Sequence, residues 1–157
     1  MPVKVYIWKP QFKISFGHAS MSLSDGTYIS LWPNGGQNAK TLLAYCLKIS
    51  AVRDRTLDND SMEYTNPPIE YCIPDGVINE EAIKLWWTQF SPDAEWRIID
   101  QNCSTVIFSA LRTGSALQFF PMEDAKDYTN TRLWTPDYIK IFVEELLHYL
   151  RLRTEAR

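Results

Sequence analysis

Alternating hydrophobic and polar positions in the first half of the chain predict β-strands. The stretch VKVYIW (3–8) alternates and is rich in β-forming residues. FKISFGHASMSL (12–23) and TYISLWP (27–33) are two further strand candidates, and Ser-Asp-Gly between them is typical of a three-residue hairpin loop with Gly26 in the left-handed conformation. A shorter strand is predicted over IEYCIP (69–74).

Hydrophobic residues three and four positions apart predict three helices in the second half. They cover NEEAIKLWWTQF (79–90), CSTVIFSALRTG (103–114) and TPDYIKIFVEELLHYLRLR (135–153). Asn79 is a good N-cap for the first helix, and Gly114 is a natural C-cap for the second. The third opens with a Thr-Pro pair, which suits the N-cap and the first helical position.

The segments between these elements give weaker signals. KTLLAYCLKIS (40–50) fits a short helix or a strand, and the polar stretch 53–68 is predicted to be a loop. EWRIID (95–100) is predicted as a short strand or an extended lead-in, and 115–134 as a loop that contains Pro121. The pattern as a whole predicts an α+β fold in which helices pack against a sheet.

Length and composition predict one globular domain over residues 1–157. The chain is 45% hydrophobic and 22% charged, without repeats or low-complexity tracts. A net charge of −3 argues against a nucleic-acid partner. No apolar run approaches the length of a transmembrane segment, and the N-terminus lacks the core of a signal peptide. We therefore expect a cytoplasmic protein, or one delivered to a target cell by a specialised secretion system that reads other signals.

The three cysteines single out one candidate nucleophile. An odd number of cysteines without CxxC spacing predicts neither a disulfide framework nor a zinc site, and we expect no cofactor and no metal. Cys46 and Cys72 lie in apolar stretches and are predicted to be core thiols. Cys103 has polar neighbours and lies where a helix begins, so that backbone N–H groups and the helix dipole there stabilise a thiolate and an oxyanion.

His18 is the better of the two candidate bases, because His148 is predicted to lie on the surface of the last helix. A cysteine nucleophile needs a base that is itself oriented. With a hairpin loop at 24–26, the register places His18 opposite Trp32 and diagonal to Ser30, on a mostly polar face. Ser30 is therefore a candidate to hold the second imidazole nitrogen, and Trp32 a candidate wall of the site.

The order of these features resembles the circularly permuted papain-like (NlpC-type) cysteine enzymes, the superfamily that includes lecithin retinol acyltransferase. The resemblance spans residues 12 to about 114. It aligns His18 with the family's first histidine, Ser30 with its second, and Asn102-Cys103 with its Asn-Cys pair. It implies a papain-like fold in permuted order, with an antiparallel sheet packed against helices and the nucleophile at a helix N-terminus.

GHASMSLSDGTYISLWP and NCSTVIFSAL also resemble the Rho-inactivation domain of multifunctional bacterial toxins and the lysine fatty-acyltransferase effectors. In some of these relatives an aspartate further along the chain completes the site. That position points to Asp58, or to Asp54 or Asp60. The third catalytic residue is left open between Ser30 and Asp58.

These features predict a Cys-His thiol enzyme that works through an acyl-enzyme intermediate. The substrate class is a peptide, an amide or an acyl donor, and the acceptor is water or an amine such as a protein lysine. The sequence does not separate hydrolysis from acyl transfer and sets no oligomeric state. The alternative is a catalytically inactive binding module on the same fold, in which His18 and Cys103 are relics.

Overall fold

The computed structural model describes residues 1–11, 17–33, 49–90, 95–96 and 101–157. Five strands come first, strands and helices then alternate, and the last elements are helical. The order is β1 (Val3–Trp8), β2 (His18–Ser22), β3 (Tyr28–Ile29), β4 (Trp32–Pro33), β5 (Ile49–Val52), α1 (Leu57–Met62), β6 (Ile69–Ile73), α2 (Glu80–Gln89), β7 (Glu95–Trp96), α3 (Cys103–Thr113), a 3-10 turn (Ala116–Phe119), α4 (Met122–Asn130) and α5 (Pro136–Glu155). Within these residues, no helix is long and apolar enough to cross a membrane. The fold is α+β.

The principal sheet is antiparallel, with the strand order β3-β2-β1-β6. Strand alternation gives this sheet two different faces. Val5 and Met21 point to the face on which α3 and α5 pack, where they join the main hydrophobic core with Ile107 and Phe142. A second antiparallel sheet has the order β4-β5-β7.

The opposite face of the principal sheet carries a separate group of aromatic side chains, which we call the aromatic cluster. It consists of Tyr6, Trp8, Trp32 and Tyr64, with Tyr28 and Leu57 packed against it. Trp8 and His18 are directly paired across β1 and β2, so the imidazole lies on this face. Helix α1 contributes Leu57 to the cluster, and the strand and helix residues around His18 therefore form a second, smaller core.

The predicted hairpin is confirmed, and its register holds for Met21–Ile29 and Ser22–Tyr28, whereas Trp32, which was predicted opposite His18, pairs with Val52 of β5. The N–H of Leu23 donates to the carbonyl of Thr27 at 2.8 Å, and Gly26 has a φ of 91°. Met21 pairs with Ile29, as the loop at 24–26 requires. The strand predicted over 12–23 begins at His18, with 12–16 outside the described residues, and the strand predicted over 27–33 is divided into β3 and β4.

The three predicted helices and the strand at 69–73 are also confirmed. Gly114 is the C-cap of α3, as predicted, but its φ is −76°, and the next residue, Ser115, takes the left-handed conformation with a φ of 67°. A Cβ on Gly114 would lie 2.6 Å from Cδ1 of Ile83 in α2. Glycine at this position therefore allows α2 and α3 to approach, and does not serve the backbone conformation.

The prediction of loops at 53–68 and 115–134 was wrong, because these segments contain α1, the 3-10 turn and α4. Both helices are short and polar, and each buries one residue, Asp60 in α1 and Tyr128 in α4. A hydrophobic period is therefore missing, and only the Thr56–Asn59 capping box signals where α1 begins. In the ambiguous segment 40–50, residues 49–50 belong to a strand, and the rest of the segment lies outside the described residues. In the stretch 95–100, residues 95–96 form β7, and 97–100 lie outside the described residues, as do 34–40.

Candidate functional site

His18 is held at the first position of β2 by a close backbone contact at Gly17 and by aromatic rings. Gly17, before it, has a φ of 78°, and a Cβ there would lie 2.4 Å from the carbonyl oxygen of Trp8. Only glycine fits this close approach. The imidazole is fully buried, with its ring centroid 4.3 Å from that of Trp32 and 5.5 Å from that of Trp8.

Nε2 of His18 has two oxygen partners, Ser30 Oγ at 3.0 Å and Asp60 Oδ2 at 3.1 Å. The Ser30 hydroxyl donates its single proton to Asp60 Oδ2 at 2.6 Å, and an ionised carboxylate only accepts. Nε2 must therefore be the donor in these contacts. In the neutral imidazole this fixes the proton on Nε2 and leaves the basic lone pair on Nδ1.

Asp60 is the centre of the hydrogen-bond network around the imidazole. Its Oδ2 also accepts from the Tyr28 hydroxyl at 2.6 Å, and its Oδ1 accepts from the Trp32 indole and from Arg55 Nε at 2.7 Å. Burial raises the pKa of Asp60, but the nearby imidazole and the hydrogen bonds from His18, Ser30 and Tyr28 outweigh burial and hold the pKa well below its usual range. The carboxylate is therefore ionised at neutral pH.

The structure changes which aspartate is the candidate partner of His18. Asp58 is exposed in the first turn of α1, and Asp54 is exposed before the helix, whereas Asp60 is fully buried. Two positions apart on a helix means a rotation of about 200°, so Asp58 and Asp60 cannot face the sheet together. The choice of Asp58 is thus corrected to Asp60, and Ser30 contacts the imidazole as predicted.

Cys103 is the first residue of α3 and is buried, with 3% of its surface exposed. Its Sγ lies 3.8 Å from the hydroxyl of Ser104. The N-cap Asn102 accepts the N–H groups of Ser104 and Thr105 at 2.8 and 2.9 Å, and its Nδ2 donates to the carbonyl of Trp134 at 3.0 Å. The expectation that these first-turn N–H groups receive a substrate oxyanion is therefore corrected for Ser104 and Thr105, because the cap uses both.

The helix that begins at Cys103 packs against the strand that begins at His18. Helix α3 and the imidazole, however, lie on opposite faces of the principal sheet: α3 covers the face of the main core, and the imidazole lies on the face of the aromatic cluster. Cys103 and His18 are each the first residue of their element, α3 and β2.

The other thiols and the second histidine have simpler settings. Cys72 is exposed, so its prediction as a core thiol was wrong. It lies on β6, at the edge of the principal sheet, where alternation turns Ile73 inward and Cys72 outward. Cys46 lies outside the described residues, and His148 is exposed on α5 as predicted.

Arg55 is the member of this network that sequence reasoning missed. Besides its bond to Asp60, its guanidinium lies 4.5 Å from the centroid of the Trp32 ring. The sequence feature that could have indicated Arg55 is the capping box over Thr56–Asn59. This box places the start of α1, so that Arg55 lies just before the helix and Asp60 lies in its first turn.

A cleft of about 580 Å³ opens beside the aromatic cluster, with Trp8 and Tyr64 in its wall. The centroids of these two rings lie 5.7 Å apart, and the centroid of the Trp8 ring lies 5.5 Å from that of His18. Among the side chains that the structure describes, no three His, Cys, Asp or Glu residues form a group that could hold a metal ion.

No family model matches this chain, and neither does any curated protein or solved structure with which it was compared.

Proposed function

We propose that the chain is a thiol enzyme of permuted papain-like fold, in which Cys103 is the nucleophile and His18 is the general base. Asp60 and Ser30 hold the imidazole from its Nε2 side. The observation that carries the proposal is this fixed tautomer, because a buried histidine whose Nε2 proton goes to a carboxylate presents Nδ1 as a base.

The start of α3 supports a thiolate at Cys103. A residue at the first helical position lies at the positive end of the helix dipole, which favours a negative sulfur. The Ser104 hydroxyl lies within hydrogen-bond distance of Sγ and favours the same charge. In the proposed pair, Cys103 transfers its proton to Nδ1 of His18, and the Asp60 carboxylate stabilises the resulting imidazolium.

The reaction then proceeds in two halves. The thiolate attacks a carbonyl carbon, an S–C bond forms, and the leaving amine or thiol departs with the proton from the imidazolium, which yields a thioester on Cys103. Water or a lysine amine attacks this thioester and gives a proton to His18 Nδ1. The S–C bond breaks, and the imidazolium returns its proton to the sulfur.

The test is the rate of iodoacetamide labelling at each cysteine, measured by peptide mass mapping. Cys72 serves as an internal reference because it is exposed. We expect Cys103 to react faster than Cys72 near neutral pH, despite its burial, and His18→Gln to slow Cys103 alone. The matched control is His148→Gln, which removes the exposed histidine. Labelling of Cys103 that is slower than that of Cys72 and indifferent to His18→Gln contradicts the proposal.

Hydrolysis and acyl transfer differ only in the acceptor, so a second experiment separates them. The protein is incubated with acyl-coenzyme A, and intact mass together with peptide mapping locates any acyl group. A thioester on Cys103 that is absent in Cys103→Ser favours transfer. Cleavage of an amide or isopeptide panel without such an adduct favours hydrolysis.

One observation favours a second candidate function, a catalytically inactive binding module. His18, Ser30 and Asp60 are fully buried and Cys103 nearly so, as expected of a polar network that holds two cores together. This candidate predicts that His18→Gln lowers stability while the labelling rate of Cys103 stays that of an ordinary buried thiol.

A further inference from the structure

Arg55 contacts the same carboxylate as His18, but through the other oxygen. Its Nε donates to Asp60 Oδ1 at 2.7 Å, while His18 Nε2 lies at Oδ2. The guanidinium is also tied to the carbonyl of Asn59 at 2.9 Å and to Glu63 Oε1 at 3.3 Å. Its side chain is 17% exposed, and it lies against the Trp32 ring, which itself stacks on the imidazole.

This arrangement fixes the rotation of the Asp60 carboxylate. With Oδ1 held by Arg55 and the Trp32 indole, Oδ2 is the oxygen that faces Ser30 and His18. A planar guanidinium with several donors suits this role better than a lysine ammonium, because it bonds the carboxylate, the backbone and Glu63 in one orientation.

Arg55 and Asp60 together also set the net charge next to the imidazole. Arg55 is always protonated, so it offsets the Asp60 carboxylate. Among the described residues, the other titratable side chains in or against the aromatic cluster are Tyr28 on β3, Tyr6 on β1 and Tyr64 after α1, and burial together with the Asp60 carboxylate raises the pKa of Tyr28. Glu63 acts through Arg55, and Cys103 is the proposed partner on the Nδ1 side.

We propose that Arg55 is a positioning residue of the thiol enzyme, one that aligns Asp60 and offsets its charge so that His18 remains a proton acceptor near neutral pH. The inference rests on the proposed function, because it assigns Arg55 to that same site. Without Arg55, the charge of the Asp60 carboxylate is no longer offset and favours the protonated imidazole. His18 would then stay protonated up to a higher pH and could not accept a proton there.

The test is an NMR titration of the imidazole signals in the Cys103→Ser protein, which removes the thiol from the coupling. The chain has only two histidines, and His148→Gln identifies the signals of His18. In Arg55→Gln we expect the His18 titration midpoint to move up by about one pH unit, a tenfold change in the protonation equilibrium. In Arg55→Lys, which keeps the charge but loses the planar contacts, we expect a smaller upward shift.

Two further variants keep the inference falsifiable if Arg55→Gln does not fold. Glu63→Gln removes the anion that partly offsets the charge of Arg55. We expect it to lower the His18 titration midpoint, a shift opposite in sign to that of Arg55→Gln. Arg53→Gln is the matched control, because Arg53 is also a largely buried cation but lies over Trp87, 4.1 Å from its ring centroid, and donates to carbonyls there. It should leave the midpoint unchanged.

Equal midpoints in the Arg55 and Glu63 variants and in the parent protein, or a shift of the same size in Arg53→Gln, overturn the inference. This outcome is distinguishable from a failure of the proposed function. The titration is made without Cys103, whereas the labelling experiment measures the reactivity of Cys103 itself.

Discussion

At the scale of single residues, Asp60 is the side chain on which the site depends most. It is a fully buried carboxylate that accepts hydrogen bonds from Tyr28, Ser30, Trp32 and Arg55, besides its contact with His18. A buried charge with its partners satisfied is tolerated, but removing that charge leaves the opposite charge uncompensated.

Replacing Asp60 by Asn keeps the size of the side chain and removes its charge. We expect the free energy of unfolding at neutral pH to fall by roughly 3–5 kcal/mol, because the largely buried Arg55 then keeps only its longer contact with Glu63 and the buried network loses its anion. Asp58→Asn, on the exposed side of the same helix, should change it by less than about 0.5 kcal/mol. Urea denaturation measures both. Similar values for the two variants contradict the assignment of Asp60.

The sequence allowed some of these residues to be predicted and not others, for physical reasons. The contact of His18 with Ser30 follows from the hairpin register, and the place of Cys103 follows from a helix start with an Asn cap. Asp60 could not be separated from Asp58, since the choice needs the orientation of a helix whose sequence has no hydrophobic period. The exposure of Cys72 depends on which face of β6 meets the core, which only the packed sheet decides.

At the scale of elements, caps and turns place the reactive groups. Asn102 closes the first turn of α3 and ties it to the segment before α5 through Trp134. Gly17 and Gly26 set the two ends of the strand that carries His18, both with positive φ. Helix α1 brings Asp60 and Arg55 to the same network. Cys103 and His18 therefore lie at the first positions of their elements, and Asp60 lies in the first turn of α1.

Asn102→Ala removes the cap that precedes the candidate nucleophile. We expect a loss of about 1–2 kcal/mol in the free energy of unfolding, and a slower iodoacetamide reaction at Cys103, because the first turn of α3 loses its anchor. Asn79→Ala removes the corresponding cap of α2, where the Asn side chain accepts the N–H of Ala82 at 3.0 Å. It should lower stability similarly but leave the Cys103 rate unchanged. Equal effects of both variants on that rate argue against a site at the start of α3.

Gly17, just before β2, and Gly26, in the hairpin loop after it, should differ in their tolerance of alanine. At Gly26 nothing lies within 4 Å of an added Cβ, so Gly26→Ala should lower the free energy of unfolding by only about 1 kcal/mol, for the backbone conformation alone. At Gly17 the same Cβ meets the carbonyl oxygen of Trp8, and we expect a loss of more than about 2 kcal/mol with a displaced His18 imidazole signal in NMR. Thermal unfolding ranks the two, and equal losses contradict the close approach at Gly17.

At the scale of the whole molecule, the principal sheet separates two cores of different character. The larger core is apolar and joins the sheet to α3 and α5, while the aromatic cluster on the other face encloses an ionised network. The α+β class and most of the long elements follow from hydrophobic periodicity. The aromatic cluster does not, because it combines residues from β1, β4, α1 and the turn after α1, and only long-range packing brings these segments together.

The ionised Asp60 carboxylate in the smaller core predicts how the free energy of unfolding depends on pH. The pKa of Asp60 is lowered in the folded protein, so its contribution is complete above the ordinary pKa of about 3.9 and is lost as the pH falls below that value towards the folded pKa. The difference in free energy of unfolding between the wild type and Asp60→Asn should therefore shrink from about pH 5 to about pH 2. Asp25 and Glu144 also have lowered pKa values, but both groups are present in the wild type and in Asp60→Asn, so their contributions cancel in the difference. A difference that stays constant over this range contradicts an ionised Asp60.

The central claim is that His18 and Cys103 act as a thiolate–imidazolium pair, and the ultraviolet absorbance of the thiolate tests it most directly. The signal of Cys103 is obtained as the difference between the wild type and Cys103→Ser across a pH titration. We predict that this thiolate is already present well below about pH 8.5, where an ordinary cysteine ionises, and that His18→Gln moves its appearance up to that ordinary range. A Cys103 thiolate that appears at the same pH with and without His18 contradicts the pair.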